Sequence, residues 1–333
     1  MKILLTGGNG FIGSNFSRYV IENTNHSILN YDKKTYAANP LSIVDLEKND
    51  RYTSHKADIC NSLDLEHCFN VFQPDVIVHM AAESHVDRSI ESADAFLKTN
   101  IMGTHTLLKV ASDYYLEHQK RLEKFMFLHV STDEVYGSLG SFGRFLETDA
   151  IKPNSPYSAS KAASDCLVNA WHKTYGLPVI TTHCSNNFGP YQQTEKFLPT
   201  VITKMIKGEP IPVYGKGGNI RDWIHVLDHV KALLILIDKG KIGETYNIGA
   251  NQEWMNLALV KLLCDVYEKV TGIDNRESLI TFVADRLGHD YRYSIDAEKM
   301  TKLGWHPMND IHTDLVSTVE WYVNNQTWWK NEK

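Results

Sequence analysis

KILLTGGNGFIG, residues 2–13, decides the fold. KILLT at 2–6 is a short apolar run of strand length, and Gly7, Gly10 and Gly13 follow it in a G-x-x-G-x-x-G spacing. Glycines at such a turn allow a tight reversal and let the backbone approach a pyrophosphate. The amphipathic run from Phe11 and Ile12 onward then opens a helix, and a helix N-terminus favours negative charge. A plain strand–helix loop would look similar in isolation. The order strand, glycines, helix favours the nucleotide-binding reading.

The pattern repeats outward from there. SILNYD at 27–32 is a second strand that closes on Asp32, roughly twenty residues past the last glycine, where an acid accepts hydrogen bonds from the adenosine ribose and repels a 2′-phosphate. NAD is therefore expected over NADP. Lys33 weakens that argument, and is otherwise a solvated surface lysine. YTSHKA leads to Asp58 and Ile59; Asp58 either meets the adenine amine or caps a helix at about 61–72. DVIVHMAA at 75–82 is a fourth strand, whose small Ala81 and Ala82 leave room for a dinucleotide across the strand ends. Glu83, Ser84, His85, Asp87 and Arg88 follow in a loop, with the Ser84 hydroxyl within reach of substrate or coenzyme. Residues 93–118 read as one long helix; Thr99 and Asn100 inside it need partners if buried. Further strands at 125–131 and 179–185 flank a helix at about 156–174. Sustained strand–helix alternation indicates an α/β fold, a Rossmann-type doubly wound parallel sheet.

The chemistry concentrates between His129 and Lys161. HVSTDEVYG sets Thr132, Asp133 and Glu134 just after a strand, and SPYSASK sets Tyr157 and Lys161 one helical turn apart. Residues at i and i+4 share a helix face, and a nearby cation favours the phenolate and lowers the Tyr pKa. The spacing alone also arises on helix surfaces; the upstream acids and the glycine turn argue for a site.

After Ser185 the texture changes. NNFGPYQQTEKFLP reads as a binding loop, followed by a helix at about 197–207. PIPVYGKGGNIRDWIHV groups Tyr214, Lys216 and Arg221 among glycines; Arg221 offers forked donors to phosphate or carboxylate, or pairs with Asp222. GETYNIG is expected to return to the main sheet. DRLGHDYRYSID at 285–296 is either a site wall or a solvated turn, and the tryptophan-rich tail reads as helix packing. The expected division is a dinucleotide-binding domain at 1–185 plus about 220–250, with a smaller C-terminal substrate-binding domain at about 186–219 plus 251–333.

The 333 residues suffice for one large domain or two modest ones, and 43% apolar with 22% charged residues is ordinary for a globular protein. The net charge of -6 offers no basic footprint for nucleic acid. Five cysteines without a C-x-x-C argue against a disulfide framework or structural zinc, and the fifteen histidines include no H-E-x-x-H, so no metal is expected. The start resembles no signal peptide, and the longest apolar patch, ALLILI at 232–237, is far short of a membrane span. The expected compartment is cytoplasmic.

The blocks TGGNGFIGSNF, HMAAESHVDRSI, HVSTDEVYG, SPYSASKAASD, CSNNFGPYQQTEKFLP, PVYGKGGNIRDWIHVLDH and DRLGHDYRYSID cover most of the chain. Together they resemble the extended short-chain dehydrogenase/reductase family, the NAD-dependent epimerases and dehydratases. Within it they resemble the nucleotide-sugar 4,6-dehydratases that act on dTDP-glucose. Tyr-x-x-x-Lys marks only the broad family, whereas the Asp–Glu pair in STDEVYG is the dehydratase mark. The resemblance implies a tightly bound NAD+ regenerated in each turnover. It makes Tyr157 the base for the C4 hydroxyl, with Lys161 favouring its phenolate, Glu134 the base at C5, Asp133 the acid at the C6 hydroxyl and Thr132 a hydrogen-bonding partner of the C4 oxygen. Gly7, Gly10, Phe11, Ile12 and Gly13 would hold NAD, with Asp32, Lys33, Thr35, Asp58, Ile59, Ala81, Thr99, Tyr157, Lys161 and Asn187. The nucleotide-diphosphate sugar would meet Ser84, Thr132, Asn186, Lys196, Leu198, Pro212, Tyr214, Arg221, Asn256, Arg286, His289 and Tyr291. A homodimer through a four-helix bundle, from about 95–117 and 156–174 of each subunit, is implied as well. His183, Leu287 and Ala38 depart from the common pattern; the first two bear on substrate preference rather than reaction type. The same dehydration of UDP-glucose or another nucleotide sugar, a 4-epimerase and a non-catalytic NAD-binding protein are the competing readings.

Overall fold

The computed structural model describes residues 1–118 and 124–330. Its strands in chain order are β1 (Lys2–Thr6), β2 (Ser27–Asp32), β3 (Tyr52–Lys56), β4 (Val76–His79), β5 (Met126–Thr132), β6 (Val179–Cys184), β7 (Asn186–Phe188), β8 (Ile211–Tyr214), β9 (Ile220–His225), β10 (Thr245–Ile248), β11 (Glu253–Met255) and β12 (Ile280–Val283). Seven of them form one parallel sheet in the order β10-β6-β5-β4-β1-β2-β3. β4 and β5 are buried along their whole length, which is why they read as continuous apolar runs. Chain order reverses between β1 and β4, and doubly wound sheets bind ligands in the crevice at such a switch point.

Gly7 and Gly13 make the first turn possible. Gly7 has φ 78°, and a Cβ there would lie 2.7 Å from Ala81 N. A Cβ on Gly13 would sit 2.3 Å from Gly7 O, so the helix Phe11–Asn23 can press against the strand end only with glycine there. The helix Pro156–Tyr175 begins where Ser155 and Ser158 form a reciprocal capping box with Pro156 at the first position, and ends at Gly176 in the left-handed conformation.

Two elements differ from expectation. The strand expected at 75–82 pairs only over Val76–His79; Met80, Ala81 and Ala82 leave the sheet and line the cleft. The helix expected at 93–118 is Asp94–Phe96, then a π-helical stretch Leu97–Gly103, then Thr104–His118. Asn100 accounts for the wide turn: its Nδ2 donates to Glu83 O at 3.0 Å and Ser160 Oγ at 2.8 Å, while its Oδ1 accepts from Glu83 N at 2.9 Å. These bonds tie the loop after β4 to the Tyr157 helix. π-turns recur where a side chain must be re-aimed at a functional site, and here Thr99 faces the cleft.

GETYNIG supplies β10 at the edge of the main sheet, beside β6. Ile3, Val78, Leu128, Ile180 and Leu233 belong to the core on one side of that sheet. Ala297, Met300 and Trp305 join this same core, although the sequence grouped 251–333 with the smaller lobe. A second core holds Phe188, Met205, Trp223, Leu263 and Tyr322, with the tail residues Trp328 and Trp329 buried in it. Among the described residues no helix is long and apolar enough to cross a membrane. All five cysteines are free.

Candidate active site

A cavity of about 300 Å³ opens along the strand ends at the switch point. Gly7, Gly10, Phe11, Ile12 and Gly13 form its floor, and Asp32, Lys33, Thr35, Asp58 and Ile59 its far wall. Ala81, Thr99, Tyr157, Lys161 and Asn187 complete it, so every residue expected around NAD lines one cavity. Asp32 is fixed by its neighbours: Oδ2 accepts from Asn9 N at 2.8 Å and Oδ1 from Lys34 N at 2.6 Å. Lys33 is not merely solvated, since its Nζ lies 2.8 Å from Asp58 Oδ2. Asp58 does not cap the helix Ser62–Phe72; Asn61 does, while Asp58 Oδ1 accepts from Cys60 N at 2.9 Å. The glycine floor, which side chains would fill, and the anchored acid at the end of β2 fit a dinucleotide without a 2′-phosphate.

A second cavity of about 280 Å³ adjoins the first, and both are lined by Ser84, Glu134, Asn186 and Lys196. Pro212, Tyr214, Arg221, Asn256, Arg286 and His289 line the second. Three cations stand there. Lys196 Nζ donates to Ser84 O at 2.8 Å, and Arg286 pairs with Asp87 at 2.5 Å. Arg221 does not pair with Asp222: it donates to the carbonyls of Ile220, Asp290 and Tyr291 and lies 4.1 Å over the Tyr293 ring. Asp222 Oδ1 instead accepts from Gln252 N at 2.6 Å. Asp133 Oδ2, Asn186 Oδ1 and Asn256 Oδ1 have no protein hydrogen-bond partner, as expected of groups that meet a ligand. A ligand spanning both cavities would place a polar, anionic segment against the cations.

Two expected contacts fail. Leu198 is 1% exposed and belongs to the second core, because it shares a helix face with Val201, Ile202 and Met205; Phe197 lines the cavity instead. That i, i+3, i+4 pattern is visible in the sequence and was the signal to heed. Tyr291 is 46% exposed and lines neither cavity, whereas Tyr293 does. Asp87, Glu195, Asp290 and Tyr293 also line the second cavity; none was among the expected ligand contacts, although Asp290 and Tyr293 lie in the segment 285–296 read as a site wall or a solvated turn and Asp87 in the stretch read as a loop after β4. His55, Asp64 and Cys68 bring donor atoms within 4.8 Å of one another, but they line neither cavity, and His55 Nε2 is already 2.9 Å from Asp64 Oδ2.

The reacting groups meet where the cavities join. The Thr132 side chain stands beside the Tyr157 phenol and favours its ionised form. Thr132 Oγ1 is 3.4 Å from Asp133 Oδ1 and accepts from Glu134 N at 3.3 Å. Burial pushes both carboxyls above their usual range, but unequally. Glu134 and Asp222 add negative charge beside Asp133, holding it well above that range. Around Glu134, Arg221, Lys196 and Arg286 oppose the rise. Environments that push two neighbouring acids apart assign one as acid and the other as base. Tyr157 departs from expectation: burial, with Glu134 second, raises its pKa well above that of a free phenol. Lys161 does not offset this, because its Nζ donates to Val130 O at 2.9 Å and burial lowers its own pKa.

A dinucleotide cleft that opens into an acid–base site for a second, anionic ligand defines the extended short-chain dehydrogenase/reductase class. The family model for GDP-mannose 4,6 dehydratase matches residues 4–317, and the chain belongs to that family of nucleotide-sugar dehydratases. Two sequence relatives and one crystal structure stand out. The dTDP-glucose 4,6-dehydratase of Haemophilus influenzae is 50% identical over 98% of this chain and 99% of the relative. That of Neisseria meningitidis serogroup B is 49% identical over 99% of this chain and 95% of the relative. The crystal structure of DesIV, a dTDP-glucose 4,6-dehydratase from Streptomyces venezuelae with NAD and TYD bound, superposes with a TM-score of 0.92 at 40% identity, covering 100% of both chains.

Proposed function

We propose that this chain is an NAD-dependent hydro-lyase that converts dTDP-glucose to dTDP-4-keto-6-deoxyglucose and water. The observation that carries the reading is the placement of Asp133 and Glu134, held in unlike electrostatic settings beside Tyr157 where the two cavities meet. The C5 hydrogen of a hexose is not acidic until C4 is a ketone. NAD+, when bound, supplies the hydride acceptor at C4 and afterwards the donor at C6. Tyr157, in its ionised form, takes the C4 hydroxyl proton at Oη, and Thr132 Oγ1 orients the same oxygen. Glu134, ionised, removes the C5 proton and returns it to C5 when C6 is reduced. Asp133, protonated, delivers its proton to the departing C6 hydroxyl. Lys196, Arg221 and Arg286 hold the diphosphate, and Lys161 orients the coenzyme ribose. A 4-epimerase needs Tyr157 and Lys161 but not an acid–base pair at Asp133 and Glu134.

Incubation with dTDP-glucose and UDP-glucose in parallel, with products read by mass, tests this. Loss of one water from dTDP-glucose without net NADH is the expected result. Preference for UDP-glucose would keep the chemistry and change the substrate; an unchanged mass with both sugars would sink the reading.

A cytoplasmic homodimer belongs to the same proposal. Leu97, Met102 and Tyr175, on the stretches 97–103 and 156–175, are 45%, 55% and 52% exposed, and apolar side chains of this size on adjacent helices suit a helical interface. Light scattering should give about twice the chain mass of 37.9 kDa; a monomer at micromolar concentration would overturn it.

A further inference from the structure

One buried carboxylate next to the reacting groups has no part in the steps above. Asp165 lies one helical turn beyond Lys161 on Pro156–Tyr175, so their side chains share a face, with roughly 5–6 Å between β-carbons. Asp165 Oδ1 is 3.0 Å from His129 Nε2, and its Oδ2 accepts from Ser131 Oγ at 3.0 Å and lies 3.1 Å from His183 Nε2. His129 and Ser131 come from β5 just before Thr132; His183 comes from β6. The chain of bonds continues from His183 Nδ1 to Tyr136 Oη at 2.6 Å and on to Asn247 Oδ1 at 2.9 Å, on β10. One carboxylate thus laces the catalytic helix to two strands, and through them to a third.

The charges around it are defined. Burial alone would raise the Asp165 carboxyl, yet the hydrogen bonds from His129 and His183 hold it well below the carboxylate range. His129 is pushed down to about 4 by burial, with Lys161 next, so it is neutral at working pH and donates from Nε2. His79 on β4, its ring 5.3 Å from that of His129, is likewise lowered by burial. From β6, the Cys184 thiol is pushed up to about 12 by burial. From the cleft side stand Tyr157, Asp133 and Glu134, while Tyr136 faces His183. Burial favours the neutral amine of Lys161, and Asp165 opposes this most.

We propose that Asp165 is a positioning residue of the reaction: its carboxylate, fixed by donors from β5 and β6, is the counter-charge that keeps Lys161 an ammonium beside Tyr157. Its effect on turnover rests on the dehydratase reading; the charge coupling does not.

Asp165→Asn tests it, because the two histidines can change tautomer to accept the amide. The alkaline limb of kcat should fall by about one pH unit or more, with KM within about twofold, since the substrate cations lie elsewhere. Independently of activity, urea unfolding of Asp165→Asn, Lys161→Met and the double variant should be strongly coupled, the double variant recovering at least about half the midpoint lost by Asp165→Asn. If Asp165→Asn does not fold, the double variant should; failure of the double while Lys161→Met folds overturns the proposal. Additive midpoints, or an unmoved alkaline limb in a folded variant, overturn it too. A wild-type chain that dehydrates no nucleotide sugar would sink the dehydratase reading while leaving the urea coupling intact.

Discussion

Glu134→Gln is expected to stop product formation while leaving the enzyme able to oxidise C4. The substitution keeps the shape of the side chain but removes the base. Product should fall by about 10²–10⁴-fold, the usual worth of a positioned general base. Hydride already taken from C4 then has no C6 acceptor, so enzyme-bound NADH accumulates in a single turnover. The three cations that temper Glu134 are unchanged by the substitution and are the groups proposed to hold the diphosphate, so KM should change little. Absorbance of the reduced nicotinamide, followed with product mass, checks this. Normal product formation would remove Glu134 from its role. Absence of the NADH signal in a folded variant would mean that Glu134 is needed before elimination.

Tyr157→Phe should abolish the NADH signal itself, again by about 10²–10⁴-fold, because the substitution removes the phenol oxygen proposed to take the C4 proton. The ring should keep its edge contact with Phe96, centroids 6.4 Å apart. Loss of one hydroxyl should cost stability only about 1 kcal/mol, so the melting temperature should barely move. With the phenol pKa raised by burial, wild-type oxidation should gain as pH rises toward that pKa. An unchanged rate of NADH appearance would assign the proton to another base.

Much of this was legible in residues close together in the chain. β2 at Ser27–Asp32 coincides with the run SILNYD, because a strand buried on both faces must be apolar and end at a polar turn. The capped helix carrying Tyr157 and Lys161 begins at its Ser-Pro and ends at its Gly for equally local reasons. Leu198 was legible too, from its spacing with Val201, Ile202 and Met205. Tyr291 and Tyr293 were not distinguishable: they lie in an irregular segment, and Arg221, on a strand distant in sequence, packs on Tyr293 at 4.1 Å and binds the carbonyls of Asp290 and Tyr291. The π-turn at Leu97–Gly103 was equally hidden, since its cause is the bonding of Asn100 to Glu83 and Ser160.

The residue pattern by itself determined the parallel sheet, the glycine turn, the acid at the end of β2 and the clustering of candidate acid–base residues between Thr132 and Lys161, because each follows from periodicity or from the chemistry of neighbouring residues. Tertiary structure alone decided how those groups are charged. Burial, with Glu134 and Asp222, pushes the Asp133 carboxyl well above its usual range, Arg221, Lys196 and Arg286 oppose the rise that burial imposes on Glu134, and Asp165 opposes the fall that burial imposes on Lys161. A pKa is set by everything within a few ångströms, whatever its distance along the chain, and in this cleft most of those neighbours come from other strands and from the second lobe.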